Sequence, residues 1–367
     1  MLAALVTTST HVHCLCGELR KDGSYVVEGE TSAAFSGLKR AKAVSSLGIK
    51  AAAVQAIERM EEHSGVRIDE VHVGVPGAYC ETVLASHVPE SAGEAGEQTP
   101  PSAFEYMDDQ CELIHRVKVP GGLSQAGRSD VASILARREF IAEMNGALAA
   151  LRMRPVAYCA QNYLEGMFII PHSARNQVAV LVNVGYYNTD VCVFMGDAQV
   201  FSATLYVGGA HVASDLSQVL EIEPAHARQL IRQFAFGIDV EPGALDYVRL
   251  EDGKLATYDH HMVQEVIMMR MEETCELIRQ AVARSGVELT EKSKAYLCGE
   301  GFKDLRGSRE YLAAVLQMPV EGLPLSMSDG TTRYETAALA LLDYLAQQPE
   351  QKTKGNRLRR FGRFTRK

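Results

Sequence analysis

Two strand–turn–strand segments constrain the fold of this chain more than any other feature of its sequence. Residues 2–19 alternate around a turn at Thr7–Thr10, and residues 178–194 place an apolar run before a turn at Gly185–Asn188. A helical pattern follows each segment. We therefore predict a duplicated α/β fold, with two similar halves and a cleft between them.

The other elements are predicted from hydrophobic periodicity. Leu47–His63 has apolar residues at helical spacing, and Gly65 supplies a C-terminal stop. Val71–Val75 alternates as a strand. The same patterns predict further strands at 112–119, 155–160 and 294–298, and helices at 140–151, 211–220, 266–283 and 334–345.

Composition excludes disordered and membrane-spanning classes. The chain is 47% hydrophobic and 23% charged, which is typical of a globular protein. No apolar run reaches the roughly 18 residues of a membrane span. The eight Cys residues form no CxxC pair and lie mostly in apolar segments, which predicts reduced, buried thiols in the cytoplasm.

Charge is divided unevenly along the chain. The formal net charge of −9 separates into −17 for residues 1–351 and +8 for residues 352–367, which contain no acid. At 100° per residue, one side of the segment 356–367 carries Leu358, Phe361 and Phe364, and the other carries Arg359, Arg360, Arg363, Arg366 and Lys367. This pattern predicts an amphipathic membrane-binding helix after a polar linker at 347–355. A solubilising tail and a nucleic-acid-binding tail remain alternatives.

Three other clusters have simpler structural explanations. His11 and His13 would face one side of a strand while Cys14 and Cys16 face the other, so the four cannot bind one metal ion. Asp259, which precedes a pair of histidines, is expected to cap a helix. Met268, Met269 and Met271 favour core packing, with a partner surface as the alternative.

Several segments, in the same order, resemble the bacterial cell-division protein family FtsA of the actin-like ATPase superfamily. They cover nearly the whole chain and comprise Cys16–Leu19, Ser36–Lys39, Leu181–Phe194, Tyr206–Gly209 with Asp215, Glu265–Ile278, Leu297–Gly301 and Tyr334–Ala338. The resemblance implies an α/β, actin-like (ribonuclease H-like) duplicated fold, with two lobes around a central cleft and a small α+β inserted subdomain.

The resemblance also implies a Mg-ATP site, which is altered here. Val6 and Asn183 stand where the family has its two metal-binding Asp residues, and Thr8 replaces a Gly. The implied nucleotide-binding residues are Thr8, Gly185, Thr189, Asp190, Gly208, Gly209, Asp215, Gly299 and Gly301. Because a valine and a neutral amide cannot replace two carboxylates beside Mg²⁺, we predict a pseudo-ATPase without catalytic residues or a metal site, which binds ATP and Mg²⁺ weakly or not at all.

The resemblance divides the chain into five parts. These are a first actin-like subdomain (1–85), an inserted subdomain (86–140), a second lobe (141–346, including a helical subdomain at 238–290), the linker 347–355 and the tail 356–367. The predicted function is a self-associating scaffold that tethers the tubulin-like FtsZ filament to the inner face of the cell membrane at the division site. The alternatives are a pilus-assembly scaffold of the PilM type and a genuine ATP-binding actin-like ATPase.

Overall fold

The computed structural model describes residues 2–19, 25–35, 46–87, 110–120, 129–238, 241–322 and 334–347. The chain divides into two compact units, each treated by itself below. The first unit comprises Met1–Gln177, Phe194–Ser202 and Pro324–Lys367, and the second comprises Val178–Val193 and Ala203–Leu323.

The first unit is built on a five-stranded mixed sheet. Its strands are β1 (Leu2–Thr7), β2 (His11–Leu19), β3 (Tyr25–Ala34), β4 (Glu70–Val75) and β8 (Arg154–Ala160), in the spatial order β3-β2-β1-β4-β8. β1 pairs antiparallel with β2 and parallel with β4. The described residues of this unit form the helices α1 (Ser46–Ser64), α2 (Arg138–Ala150), α3 (Gln161–Ile169) and α9 (Thr336–Gln347), and the short α4 (His172–Arg175).

Helix α1 forms as its sequence pattern predicts. Ile49, Ala53, Ile57 and Met60 recur at helical spacing and are all buried in the core beneath the sheet. Gly65 follows the helix with a φ of +67°, the left-handed conformation of a C-terminal stop. The predicted helix at 47–63 and its terminating glycine are therefore confirmed.

A smaller antiparallel sheet lies within the same unit. It contains β5 (Cys80–His87), β6 (Cys111–Lys118) and β7 (Ser129–Arg137), in the order β5-β7-β6, and a single 3₁₀ turn, Gly77–Tyr79, leads into it. The sheet begins at Cys80, earlier than the expected subdomain boundary at 86. The segment 141–177 groups with the first unit, since β8 pairs with β4. The Ser91–Ser102 loop lies outside the described residues.

The second unit contains most of a second five-stranded sheet. The strands of this sheet are β9 (Val178–Val184), β10 (Thr189–Met195), β11 (Ala198–Leu205), β14 (Lys294–Cys298) and β15 (Val320–Gly322), in the order β11-β10-β9-β14-β15. The end of β10 and the first part of β11 lie in Phe194–Ser202, which groups with the first unit. β14 pairs parallel with both β9 and β15. The apolar run of β9 is buried apart from the partly exposed Asn183, as expected for a central strand with both faces covered.

Among its described residues, the second unit also contains four helices and a two-stranded hairpin. The helices are α5 (Gly209–Val219), α6 (Pro224–Gln233), α7 (His260–Arg284) and α8 (Ser308–Leu316). The segment expected to be a helical subdomain at 238–290 also contains the antiparallel strands β12 (Leu245–Arg249) and β13 (Leu255–Asp259). Gly253, with a φ of +81°, lies in the turn that joins them.

The cysteines and the helices of the described residues bear on two predictions from composition, namely reduced thiols and no membrane span. All eight Cys residues are free, and six of them are buried. None of the described helices combines the length and the apolar character that a membrane crossing needs.

Candidate functional site

The turn between β9 and β10 is closed by its own backbone. The N–H group of Gly185 donates to the carbonyl oxygen of Asn188 at 2.8 Å. Thr189 is fully buried and donates its hydroxyl to the carbonyl oxygen of Val207 at 2.7 Å. This second bond ties β10 to the segment that leads into α5, so Thr189 has a structural partner within the unit.

Three loops meet at this edge of the sheet. Because β9 and β14 run parallel, the loops that follow them lie at the same edge. The N–H of Gly301 donates to the carbonyl oxygen of Val184 at 2.7 Å. The start of α5 contacts the loop after β9 through its first backbone N–H groups. We call the five glycines of these loops the glycine junction: Gly185, Gly208, Gly209, Gly299 and Gly301.

The glycines of the junction allow direct backbone contact between loops. A Cβ atom on Gly208 would lie 2.5 Å from the carbonyl oxygen of Gly185, and one on Gly209 would lie 2.4 Å from that of Gly301. A Cβ on Gly301 would in turn lie 2.4 Å from the oxygen of Gly185. Gly299 adopts a φ of +88°, which L side chains rarely tolerate. Larger residues would therefore force the loops apart.

Every backbone N–H from Gly208 to His211, at the start of α5, donates a hydrogen bond. These are the groups that a helix leaves without intrahelical partners. Gly208 donates to the ring Nδ1 of His211 at 3.1 Å. Gly209, Ala210 and His211 donate at 3.1, 2.8 and 3.0 Å to the carbonyl oxygens of Gly185, Tyr186 and Gly208, respectively.

Bulky and charged side chains lie beside the glycine junction. Tyr186 and Tyr187, at the tip of the β9–β10 turn, have ring centroids 4.7 Å apart in an edge-to-face arrangement. Glu300, which separates two glycines of the junction, forms an ion pair with Lys303. The residues around the junction are therefore phenol rings and a paired carboxylate.

The two carboxylates expected to bind nucleotide have protein partners. Asp190 accepts a short hydrogen bond from Thr204, and burial raises the pKa of its carboxyl group to about 6 despite that bond. Asp215 accepts from Arg270 Nε at 2.6 Å and from Nη2 at 3.1 Å. The hydrogen bond with Asp215 is the main reason that the pKa of Arg270 is raised. Asp215 thus braces α5 against α7.

The turn between β1 and β2 is closed by a side chain instead of by glycines. The N–H and the hydroxyl of Thr8 both lie within hydrogen-bond distance of the carbonyl oxygen of His11, at 2.9 and 3.2 Å. The hydroxyl also accepts from the N–H of His11 at 3.1 Å. Val6 is fully buried, and the amide oxygen of Gln161 lies 3.4 Å from the N–H of Thr7.

These residues do not fit a Mg²⁺-nucleotide. Metal-bound water needs carboxylate acceptors, but Val6 is apolar and Asn183 is neutral. Phosphate oxygens need backbone N–H donors, but the amides at the start of α5 and that of Gly301 already donate to protein acceptors. The geometry of each hairpin taken alone is that of a closed structural turn.

The other predicted clusters are also structural. Cys14 and Cys16 are buried in the core beneath α1, while His13 Nδ1 lies 2.6 Å from a carboxylate oxygen of Glu30. The opposite orientation of these residues is therefore confirmed. Among the residues that the structure describes, no group of three or more His, Cys, Asp or Glu side chains is arranged to hold a metal ion.

The cap of α7 lies where the sequence places it, but its three methionines do not all lie in the core. The carboxylate of Asp259 accepts from the N–H of Met262 at 3.0 Å, so the predicted helix cap is confirmed. Met271 is buried in the core, Met268 is half-buried, and Met269 is 65% exposed. The predicted membrane-binding residues of the tail, Leu358, Arg359, Arg360, Phe361, Arg363, Phe364 and Arg366, lie outside the described residues.

Sequence reasoning missed three contributors to these turns. The ring of His211 accepts a hydrogen bond from the N–H of Gly208. Side chains at the third position of a helix commonly cap its start, so this bond could have been predicted from the spacing. Arg270 and Gln161 gave no such signal. Arg270 is 55 residues from Asp215 in sequence, and Gln161 is 154 residues from Thr7. Only the fold brings these pairs together.

Comparison with known proteins gives one curated relative and many similar folds. No protein-family model matches the sequence. The cell division protein FtsA of Pseudomonas aeruginosa is 21% identical over 357 residues, which cover 89% of this chain and 84% of the relative.

Two solved structures illustrate the fold. A chain of the PilM-PilN type IV pilus biogenesis complex superposes with a TM-score of 0.67 and 14% identity, over 95% of this chain and 99% of that one. MreB5 of Spiroplasma citri bound to ADP gives a TM-score of 0.54 and 11% identity, over 94% and 95%. This chain is therefore a divergent relative of FtsA with the α/β fold of the actin-like ATPases.

Proposed function

We propose that this protein is a non-catalytic cell-division scaffold that tethers a tubulin-like FtsZ filament to the cytoplasmic membrane. The similarity to FtsA carries the proposal, because it extends over 89% of the chain and is not confined to one motif. A scaffold of this kind needs a filament-binding body and a membrane anchor. The FtsA-like body would supply the first, and the basic tail would supply the second.

The distribution of charge supports a separate anchor. Residues 1–351 carry a net charge of −17, so an anionic leaflet repels the body. Each Lys or Arg near such a leaflet contributes about 1 kcal/mol of attraction. The eight cations of the tail act together with Phe361 and Phe364, whose rings enter the acyl boundary. Self-association of the scaffold would multiply this reversible attachment.

The chemistry of the two hairpins supports a scaffold without ATP hydrolysis. Val6 and Asn183 offer no charge to a metal ion, and the carboxylate of Asp215 is held by Arg270. Phosphoryl transfer depends on positioned metal ions and charged groups, so this donor set does not support it. The proposed localisation is peripheral, on the inner face of the membrane at the division site.

Vesicle co-sedimentation tests the tether. The full chain should pellet with phosphatidylglycerol vesicles and remain soluble with phosphatidylcholine vesicles, and the chain lacking 352–367 should remain soluble with both. The Phe361→Ser/Phe364→Ser variant keeps all eight cations of the tail, and it should still lose most of its vesicle binding. Failure of the full chain to bind anionic vesicles would rule out the proposed anchor. Binding that depends on charge alone would exclude an inserted helix.

A second test addresses the partner. Purified FtsZ filaments should co-pellet with the tail-deleted chain, because filament binding is assigned to the body. A pilus-assembly scaffold is the second candidate, favoured by the TM-score of 0.67 to a chain of the PilM-PilN complex. Retention of the cytoplasmic peptide of a PilN-like protein, with no retention of FtsZ, would favour that candidate.

A further inference from the structure

The edge of the second sheet that carries the glycine junction is closed by bonds between its own loops. The carbonyl oxygens of Val184, Gly185 and Tyr186 accept the N–H groups of Gly301, Gly209 and Ala210. The acceptors therefore belong to one hairpin turn, and the donors belong to two other loops. The three loops are therefore joined to one another by direct backbone hydrogen bonds.

The first turn of α5 cannot serve as an anion site in this arrangement. A helix binds phosphate at its N-terminus through N–H groups that lack intrahelical partners. Here the N–H groups of Gly209 and Ala210 point to backbone oxygens, and that of Gly208 points to the ring of its own helix residue His211. A phosphate oxygen would have to displace a bond that already exists.

The spacing of the backbones leads to the same conclusion. The Cβ positions of Gly208 and Gly301 lie 2.5 and 2.4 Å from the carbonyl oxygen of Gly185, closer than real Cβ atoms approach any neighbour. The loops are thus in direct contact, and a ligand atom could lie between them only if they separated. Glu300, between two glycines of the junction, is held in an ion pair with Lys303.

We infer that the glycine junction is a nucleotide-independent lock, in which hydrogen bonds between the three loops replace the bonds that a bound phosphate would supply. The second unit is then held in one conformation whether nucleotide is present or absent. Any partner that binds this unit does so with an affinity that ATP and ADP do not change. This inference does not depend on the membrane tether and would hold if the tether failed.

Amide hydrogen exchange of the full chain, resolved by residue, tests the lock. The N–H groups of Gly209, Ala210 and Gly301 should exchange slowly without nucleotide, as do bonded amides in folded structure. Their exchange rates should change by less than about twofold in millimolar Mg-ATP or Mg-ADP. Rapid exchange in the free protein would overturn the lock. Slowing by more than about tenfold on addition of nucleotide would also overturn it, because it would show that these amides bind phosphate.

A glycine variant with a matched control tests whether the bonds act together. Gly208 has an extended backbone (φ −164°, ψ −172°), so Gly208→Ala adds only steric clashes, with the carbonyl groups of Gly185 and Tyr186. It should accelerate exchange at Gly209, Ala210 and Gly301 together by at least about tenfold. Gly322→Ala, whose new Cβ would be 3.8 Å from its nearest neighbour, should leave all three rates unchanged.

Acceleration at only one of the three amides would overturn the coupled lock. Should Gly208→Ala fail to fold, the exchange rates of the unmodified chain with and without nucleotide still decide the question.

Discussion

The β1–β2 and β9–β10 hairpins open the two similar halves of the fold, yet their turns are closed by different chemistry. In the first, the hydroxyl and the N–H of Thr8 bond to the backbone of His11. In the second, glycine backbones contact the start of α5 and the loop after β14 directly. Both turns are closed by a local backbone hydrogen bond, to which the first adds a side-chain hydroxyl and the second adds long-range backbone contacts.

This difference has consequences for tolerance to substitution. A hydroxyl that closes a turn can be lost at the cost of about one hydrogen bond. A glycine in direct contact with another backbone cannot gain even a methyl group unless two loops move apart. The second hairpin should therefore be much more sensitive to substitution than the first.

Gly301→Ala should have the largest effect. Its Cβ would lie 2.4 Å from the carbonyl oxygen of Gly185 and 2.6 Å from a methyl group of Val184. We expect the free energy of unfolding to fall by about 3 kcal/mol, measured by urea denaturation. Gly322→Ala on β15, whose new Cβ would lie 3.8 Å from its nearest neighbour, is the control and should have little effect. Equal losses in the two variants would show that the loops are not in direct contact.

Asp190→Asn should give the next largest effect, and one that depends on pH. The pKa of Asp190 is raised from 3.8 to about 6 by burial, so the folded protein retains a proton that the unfolded chain releases between these values. The stabilisation from this group is fully present below about pH 4 and is lost as the pH rises through about 6.

Because Asn resembles the protonated acid, the stability of the variant relative to the natural chain should rise by on the order of 2 kcal/mol from pH 4 to pH 8. Thermal or urea unfolding at both pH values measures this difference. A difference that does not change with pH would contradict a buried carboxyl group in the second hairpin.

Arg270→Ala should be less costly. It removes the two bonds from the guanidinium to Asp215 that brace α5, and both side chains are largely shielded from solvent. The expected loss in the free energy of unfolding is about 1 to 2 kcal/mol. Arg279→Ala breaks a more exposed pair with Glu276 on the same helix and should cost less than about 0.5 kcal/mol. Comparable losses in both variants would remove the argument that Asp215 is a structural brace.

Thr8→Ala should be the mildest of the four. It removes the hydroxyl that bonds to His11 in a turn that is partly open to solvent, at an expected cost of about 1 kcal/mol. Thr8→Ser keeps the hydroxyl and should restore most of that loss. If Thr8→Ala were as damaging as Gly301→Ala, the two hairpins would not differ in the way described.

Local patterns were sufficient to predict much of this fold. The spacing of Ile49, Ala53 and Ile57 predicts α1, and the apolar run of β9 with its glycine turn predicts the second hairpin. The burial of Cys14 and Cys16 opposite two histidines also follows from strand alternation.

The remaining features depend on contacts between distant segments. Nothing in the sequence around Asp215 indicates that Arg270 binds it, because the two lie on separate helices. The glycines after β14 predict a turn, but only the parallel pairing of β14 with β9 brings Gly301 to the Gly185 carbonyl. The sequence therefore predicts the turns but not the bonds that join them.

Equilibrium dialysis of the full chain against Mg-ATP tests most directly whether this FtsA-like protein works without nucleotide. At about 1 mM Mg-ATP, binding should stay below about 0.1 molecule per chain, because Val6 and Asn183 offer no carboxylate to a metal ion and the N–H groups of Gly209, Ala210 and Gly301 already donate to protein oxygens. Retention of about one molecule per chain, with a micromolar dissociation constant, would contradict the account.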